Sequence, residues 1–120
     1  MIAEDSDATR LILKDSLQSG HHEIVAEAKD GIETIEKFIA TNPDVLLLDV
    51  SMPRKDGISA LREIMSSNPD AKIIMITADD NLSTIHQSSE VGAQAYLTKP
   101  FSSEEVLTAI TMALDELQVS

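Results

Sequence analysis

Two uninterrupted apolar runs, Val45-Leu46-Leu47-Leu48 and Ile73-Ile74-Met75-Ile76, constrain this chain more than any other feature. Strands buried on both faces look like this, and they characterise parallel sheets covered by helices. A helical stripe lies between the runs, Ile58, Leu61, Ile64 and Met65, closed by Asn68-Pro69. The same alternation extends to both ends. Met1-Ile2-Ala3 reads as a very short first strand and Glu23 to Ala28 as a second. Ser6 to Ser19 reads as a helix, with Ser6 as cap, Leu13 and Leu17 inward and Gly20 as stop. Gly31 to Thr41 carries Ile32, Ile35, Phe38 and Ile39 at helical spacing and ends at Asn42-Pro43. Asn81 to Val91 is a polar, weakly patterned helix, and Ala95-Tyr96-Leu97 a short fifth strand. The last helix opens on a capping box of Ser102 and Glu105, and Val106, Ile110, Ala113, Leu114 and Leu117 form its inner face. A β-α unit repeated five times predicts an α/β fold, a doubly wound parallel sheet with helices on both faces. No linker or low-complexity tract interrupts it, so one domain is expected over residues 1–120.

Composition narrows the function. The 21 acidic residues outnumber 9 Lys and Arg, for a formal charge of −12. Direct nucleic-acid binding wants a basic patch, and here the basic residues are scattered singly apart from Arg54-Lys55. There is no cysteine, hence no disulfide framework and no thiolate metal site. No apolar stretch approaches a membrane span and no secretory signal is visible. A soluble cytoplasmic domain is expected.

In open α/β sheets, sites form beyond the carboxyl ends of the strands. Glu4 and Asp5 follow the first strand, Asp49 the third, Thr77 the fourth and Lys99 the fifth. Each alone is ordinary for a strand end. Together they place three carboxylates, a hydroxyl and an ammonium on one edge. Clustered carboxylates repel one another unless a cation compensates them, and Mg²⁺ takes oxygen ligands from few carboxylates. An aspartate can also act as nucleophile and form an acyl phosphate. Asp49 ends the most apolar strand and is the best candidate.

At this point the motifs resemble a known family. They are Ile2-Ala3-Glu4-Asp5-Ser6, Leu48-Asp49-Val50-Ser51-Met52-Pro53 with Asp56-Gly57, Ile76-Thr77-Ala78, and Tyr96-Leu97-Thr98-Lys99-Pro100-Phe101. In this order, across almost the whole chain, they resemble the receiver domains of two-component response regulators, including single-domain chemotaxis-type regulators. The resemblance implies a flavodoxin-like sheet of order 2-1-3-4-5. It implies that Asp49 accepts a phosphoryl group from a sensor histidine kinase in a Mg²⁺-dependent reaction. Glu4, Asp5, Asp49 and the Ser51 carbonyl would hold the metal, Asp5 more directly and Glu4 through water. Lys99 would pair with the phosphoryl group and Thr77 hydrogen-bond to it. Tyr96 would turn inward as Thr77 moves, altering a surface of the fourth helix, fifth strand and fifth helix that binds an effector or phosphotransfer protein. Pro100 would follow a cis bond, and Ser51 and Asp79 occupy positions that influence dephosphorylation. The chain departs from the pattern in having Glu at position 4 and only three residues before it.

The resemblance implies a switch that catalyses only its own phosphorylation and dephosphorylation. Rival readings are a receiver that docks without phosphorylation, a Mg²⁺-dependent aspartyl phosphohydrolase and a flavin domain. Ser51 stands where many such hydrolases have a second Asp, and Glu4-Asp5 would repel a flavin phosphate. His21, His22 and His86 are expected to be solvated, the five Met residues to fill the core and Arg54-Lys55 to be a solvated pair. Whether an output domain belongs with the chain is open.

Overall fold

The computed structural model describes residues 1–78 and 82–115. Five β-α units alternate as expected. The strands are β1 (Ile2–Ala3), β2 (Glu27–Ala28), β3 (Leu46–Asp49), β4 (Ile73–Thr77) and β5 (Ala95–Thr98). The helices are α1 (Asp7–Ser19), α2 (Gly31–Thr41), α3 (Gly57–Ser67), α4 (Leu82–Val91) and α5 (Ser103–Asp115). All pairings are parallel and the sheet order is β2-β1-β3-β4-β5.

The apolar runs serve both faces because successive side chains in a strand point to opposite sides. Leu46, Leu48, Ile73 and Met75 join Phe38, Leu61 and Ile64 in the core beneath α2 and α3. Leu47, Ile74 and Ile76 join Leu13, Leu17, Val106 and Ile110 beneath α1 and α5. Helix starts follow local chemistry. The Ser6 hydroxyl accepts from Thr9 N, and Asp30 and Asp56 accept from Glu33 N and Ser59 N. The capping box closes in both directions: Glu105 N donates to Ser102 Oγ and Ser102 N to Glu105 Oε1, each at 3.1 Å.

Several expectations need correction. β2 is two residues, not six. Its only neighbour is β1, so the ladder extends no further than Ile2 and Ala3. Ile32 and Ile39 do not join Phe38 in the core; they are 36% and 69% exposed. The apolar side of α2 is therefore wider than the surface it covers. Met112 is exposed too, whereas Met1, Met52 and Met75 are buried as expected. Gly20 ends α1 without left-handed geometry; the residue in that conformation is His21, at φ 64. Leu117, Asp79 and Asn81 lie outside the described residues.

Two glycines matter through close approach. A Cβ on Gly57 would lie 2.0 Å from the backbone oxygen of Asp49, which cannot withdraw without moving β3. A Cβ on Gly20 would meet Leu107 Cδ2 at 2.5 Å, the mobile end of a side chain. Gly57→Ala should therefore cost about 2–4 kcal/mol and Gly20→Ala less than about 1 kcal/mol. Urea denaturation of the two variants checks this, and equal losses would contradict it.

Candidate functional site

The carboxyl ends of β1, β3, β4 and β5 meet on one edge of the sheet, and each delivers a polar side chain. Glu4 directly follows β1, Asp49 ends β3, Thr77 ends β4 and Lys99 directly follows β5. Asp49 pairs in register with Ile76, and Thr77 with Thr98. Register alone thus places the acceptor candidate, hydroxyl and ammonium on neighbouring strand ends. The Lys99-Pro100 bond is cis, as the resemblance implies.

Glu4 is fully buried and Asp49 is 3% exposed. Lys99 Nζ lies 2.9 Å from Glu4 Oε1 and 3.8 Å from Asp49 Oδ1, so one ammonium braces two carboxylates. Glu4 Oε2 accepts from Ser6 N at 3.0 Å. Asp49 Oδ1 accepts from Ser51 N at 3.3 Å. Asp5 is exposed at the rim. One carboxylate oxygen from each of Glu4, Asp5 and Asp49 lies within 4.8 Å of the others. An open cleft of about 780 Å³ runs outward from Asp5 and Ser51 past Asp56 to Arg62 and Gln87.

The electrostatics follow from burial. Loss of water, then the hydrogen bond and charge of Glu4, push the Asp49 carboxyl up to about 7 against the pull of Lys99 and Ser51 N. Burial also acts to raise Glu4, but the Ser6 N–H, Lys99 and the contact with Asp49 outweigh it, and Glu4 is held below its ordinary value. Two of the three carboxylates are thus buried together against a single ammonium. Glu4 Oε1 has Lys99 beside it yet no aligned hydrogen-bond donor. An all-oxygen cluster with excess negative charge and an under-satisfied buried oxygen fits a hard divalent cation such as Mg²⁺.

The structure brings together Glu4, Asp49 and Lys99, sets Asp5 and Ser51 at the mouth, and buries Thr77 beside them. Tyr96 is 51% exposed on β5. Of the Arg54-Lys55 pair, Arg54 is exposed as expected and Lys55 is half-buried, and both make ion pairs. Arg54 Nη1 lies 3.1 Å from Asp30 Oδ2, and Lys55 pairs with Glu63. His21 and His86 are exposed, with His86 Nε2 3.0 Å from Glu90 Oε1, while His22 is half-buried. The sequence reading missed Asp30 and Ser6 N as supports of the site. Asp30 carried a usable signal, an aspartate immediately before a helical stripe.

The fold and this edge define a doubly wound α/β domain with a lysine-braced acidic site. Residues 1–111 match the family model of the response regulator receiver domain. The chemotaxis protein CheY of Bacillus subtilis is 36% identical over 115 residues, 96% of this chain and 96% of that protein. The transcriptional regulatory protein PdtaR of Mycobacterium tuberculosis is 39% identical over 118 residues, 98% of this chain but 57% of the relative. The structure also resembles a solved CheX-CheY-BeF3-Mg²⁺ complex from Borrelia burgdorferi, with a TM-score of 0.90 and 30% identity, covering 99% of this chain and 87% of that one. This chain belongs to the response regulator receiver domain family. Receiver domains are phosphorylation-activated switches of two-component systems and bind Mg²⁺ at an acidic pocket. Among the described residues, no helix is long and apolar enough to cross a membrane.

A carboxyl raised on folding favours its protonated form. The Asp49 contribution to stability is therefore present at low pH and lost as pH rises from 3.8 through about 7. In metal-free buffer at pH 8, Asp49→Asn should raise stability by on the order of 1–3 kcal/mol, and the gain should shrink toward pH 4. Thermal unfolding across that range checks the direction, and a gain that grows as pH falls would contradict it.

Proposed function

We propose that Asp49 receives a phosphoryl group from a phosphohistidine of a sensor kinase and that Thr77, Lys99 and Tyr96 relay its arrival. The observation that carries the reading is the placement of Lys99 against both Glu4 and Asp49 in an acidic cluster. Glu4, Asp5, Asp49 and the Ser51 carbonyl would hold Mg²⁺. When bound, the cation would neutralise charge on both the carboxylates and the phosphoryl oxygens.

The chain's own residues do the rest. Ionised Asp49 presents a carboxylate oxygen that forms the new O–P bond as the N–P bond of the donor breaks. The electron pair of that bond stays on the departing imidazole, which takes any proton it needs from solvent. Ser51 N, already on Asp49 Oδ1, limits rotation of the carboxylate. Lys99 shares its charge with the new phosphoryl oxygens, and the Thr77 hydroxyl donates to one of them. Catalysis here is positioning and charge neutralisation, so no general base is required.

Strand parity supports the relay. Ile73 and Met75 pack on the α2–α3 side, and Thr77 shares their parity. Ala95 and Leu97 pack on the α1–α5 side, which leaves Tyr96 on the same side as Thr77. Tyr96 pairs with Met75, two residues from Thr77. A shift of Thr77 toward a phosphoryl group changes the space that an inward Tyr96 would enter. Tyr96 is 51% exposed, so an inward turn would bury apolar ring surface. The α4–β5–α5 surface is then the output face for an effector or phosphotransfer protein.

Incubation with acetyl phosphate and Mg²⁺ should give one phosphoryl adduct by intact-mass spectrometry. Asp49→Asn should give none, Lys99→Ala about tenfold less or lower, and chelation of the metal should abolish labelling. Undiminished labelling of the Asp49 variant would overturn the assignment.

A further inference from the structure

The loop after Asp49 is the longest stretch of the site outside strands and helices, and Val50 N ties its start to Ile76 O of β4 at 2.9 Å. Residues 50–56 leave β3 and return to α3. Both ends are tied near the acceptor: Ser51 N donates to Asp49 Oδ1, and Gly57 N donates to Val50 O at 2.8 Å. Between those ends the chain reverses, and Arg54 makes the reversal in the left-handed region at φ 67. That conformation is disfavoured for a residue with a long side chain and is more natural to Gly or Asn. A hydrogen bond from Lys55 N to Pro53 O, 2.7 Å, closes the turn across Arg54, and its side chain is fastened as well.

The side-chain contact comes from the neighbouring turn. Arg54 Nη1 lies 3.1 Å from Asp30 Oδ2. Asp30 is itself buried and fixed, because its other oxygen caps α2 by accepting from Glu33 N at 2.8 Å. Beside it, a Cβ on Gly31 would fall 2.1 Å from the backbone oxygen of Lys55, so the first turn of α2 and the loop are in direct backbone contact. Lys55 is tied in turn to Glu63 on α3.

We infer that Arg54 is a positioning residue, whose ion pair with Asp30 anchors the closed turn to α2, steadies Ser51 beside Asp49 and so supports cation binding at the acidic cluster. This rests on the metal-site reading above. The bland alternative is a half-solvated ion pair that contributes little, since the Arg54 side chain is 59% exposed. Charge separates the two. Acting only through charge, loss of Arg54 would strengthen Mg²⁺ binding and neutralisation of Asp30 would weaken it. A positioning pair requires both changes to weaken it.

The test uses the whole chain and Mg²⁺ alone, titrated by calorimetry into wild type, Asp30→Asn, Arg54→Ala, the double variant and Arg54→Lys. Asn preserves the α2 cap. Each of the first two should weaken Mg²⁺ binding about three- to tenfold, the double variant no further than the worse single, and Arg54→Lys much less. In metal-free protein, amide exchange at Ser51 and Gly57 should quicken in both single variants, while Leu48 and Ile74 stay unchanged. Shifts of affinity in opposite directions, or affinities equal to wild type, would overturn the inference. So would double-variant losses equal to the product of the singles, or exchange that quickens in the core as well. Wild type that binds no Mg²⁺ would instead defeat the metal-site reading. The amide exchange then decides alone: unchanged loop amides overturn the positioning role, and quickened ones uphold it.

Discussion

Two carboxylates, Glu4 and Asp49, are buried together against one ammonium, and the rest of the structure answers to that constraint. Removing a carboxylate from water costs several kcal/mol unless charge or hydrogen bonds replace the lost solvation. Lys99 and Ser6 N make that replacement for Glu4. Asp49 is left under-compensated, and its carboxyl accordingly rises to about 7. Under the proposed function, a bound cation would supply the missing compensation.

The parallel sheet makes the arrangement possible. Every strand points its carboxyl end to the same edge, so residues far apart in sequence become neighbours there without a dedicated scaffold. The two cores on either side of β3 and β4 keep those ends in register. Gly57 brings the start of α3 against the backbone of Asp49, and the β3–α3 loop is then fastened to α2 through Asp30 and Gly31. Rigid strands hold Asp49, the proposed acceptor, and carry the lysine at the end of β5. A tied loop supplies the more adjustable part of the site. Tyr96, exposed on β5, lies where the site passes into a surface.

Much of this was legible in the sequence for physical reasons. Runs such as Val45 to Leu48 announce a doubly covered strand, and residues just past such strands must gather on one edge. Glu4, Asp5, Asp49, Thr77 and Lys99 all follow from that rule. The order of burial does not. Strand-end position alone treats Glu4 and Asp5 alike, whereas the structure buries Glu4 against Lys99 and leaves Asp5 at the rim. The sequence also misleads on α2, where Ile32 and Ile39 satisfy helical spacing yet face solvent. Periodicity reports an apolar face but not how much partner surface exists to cover it. The Asp30–Arg54 contact spans 24 positions and two separate loops, and no local pattern encodes it.

The central claim is that Asp49 is a buried carboxyl, raised by its surroundings, whose ionised form a cation would stabilise. Its carboxyl carbon, followed by NMR in ¹³C-labelled protein across pH 4–9, tests this most directly. Without metal the Glu4–Asp49 pair should take up a proton near pH 7, and saturating Mg²⁺ should move that titration to lower pH. An Asp49 signal that titrates near 4 and ignores Mg²⁺ would contradict the account.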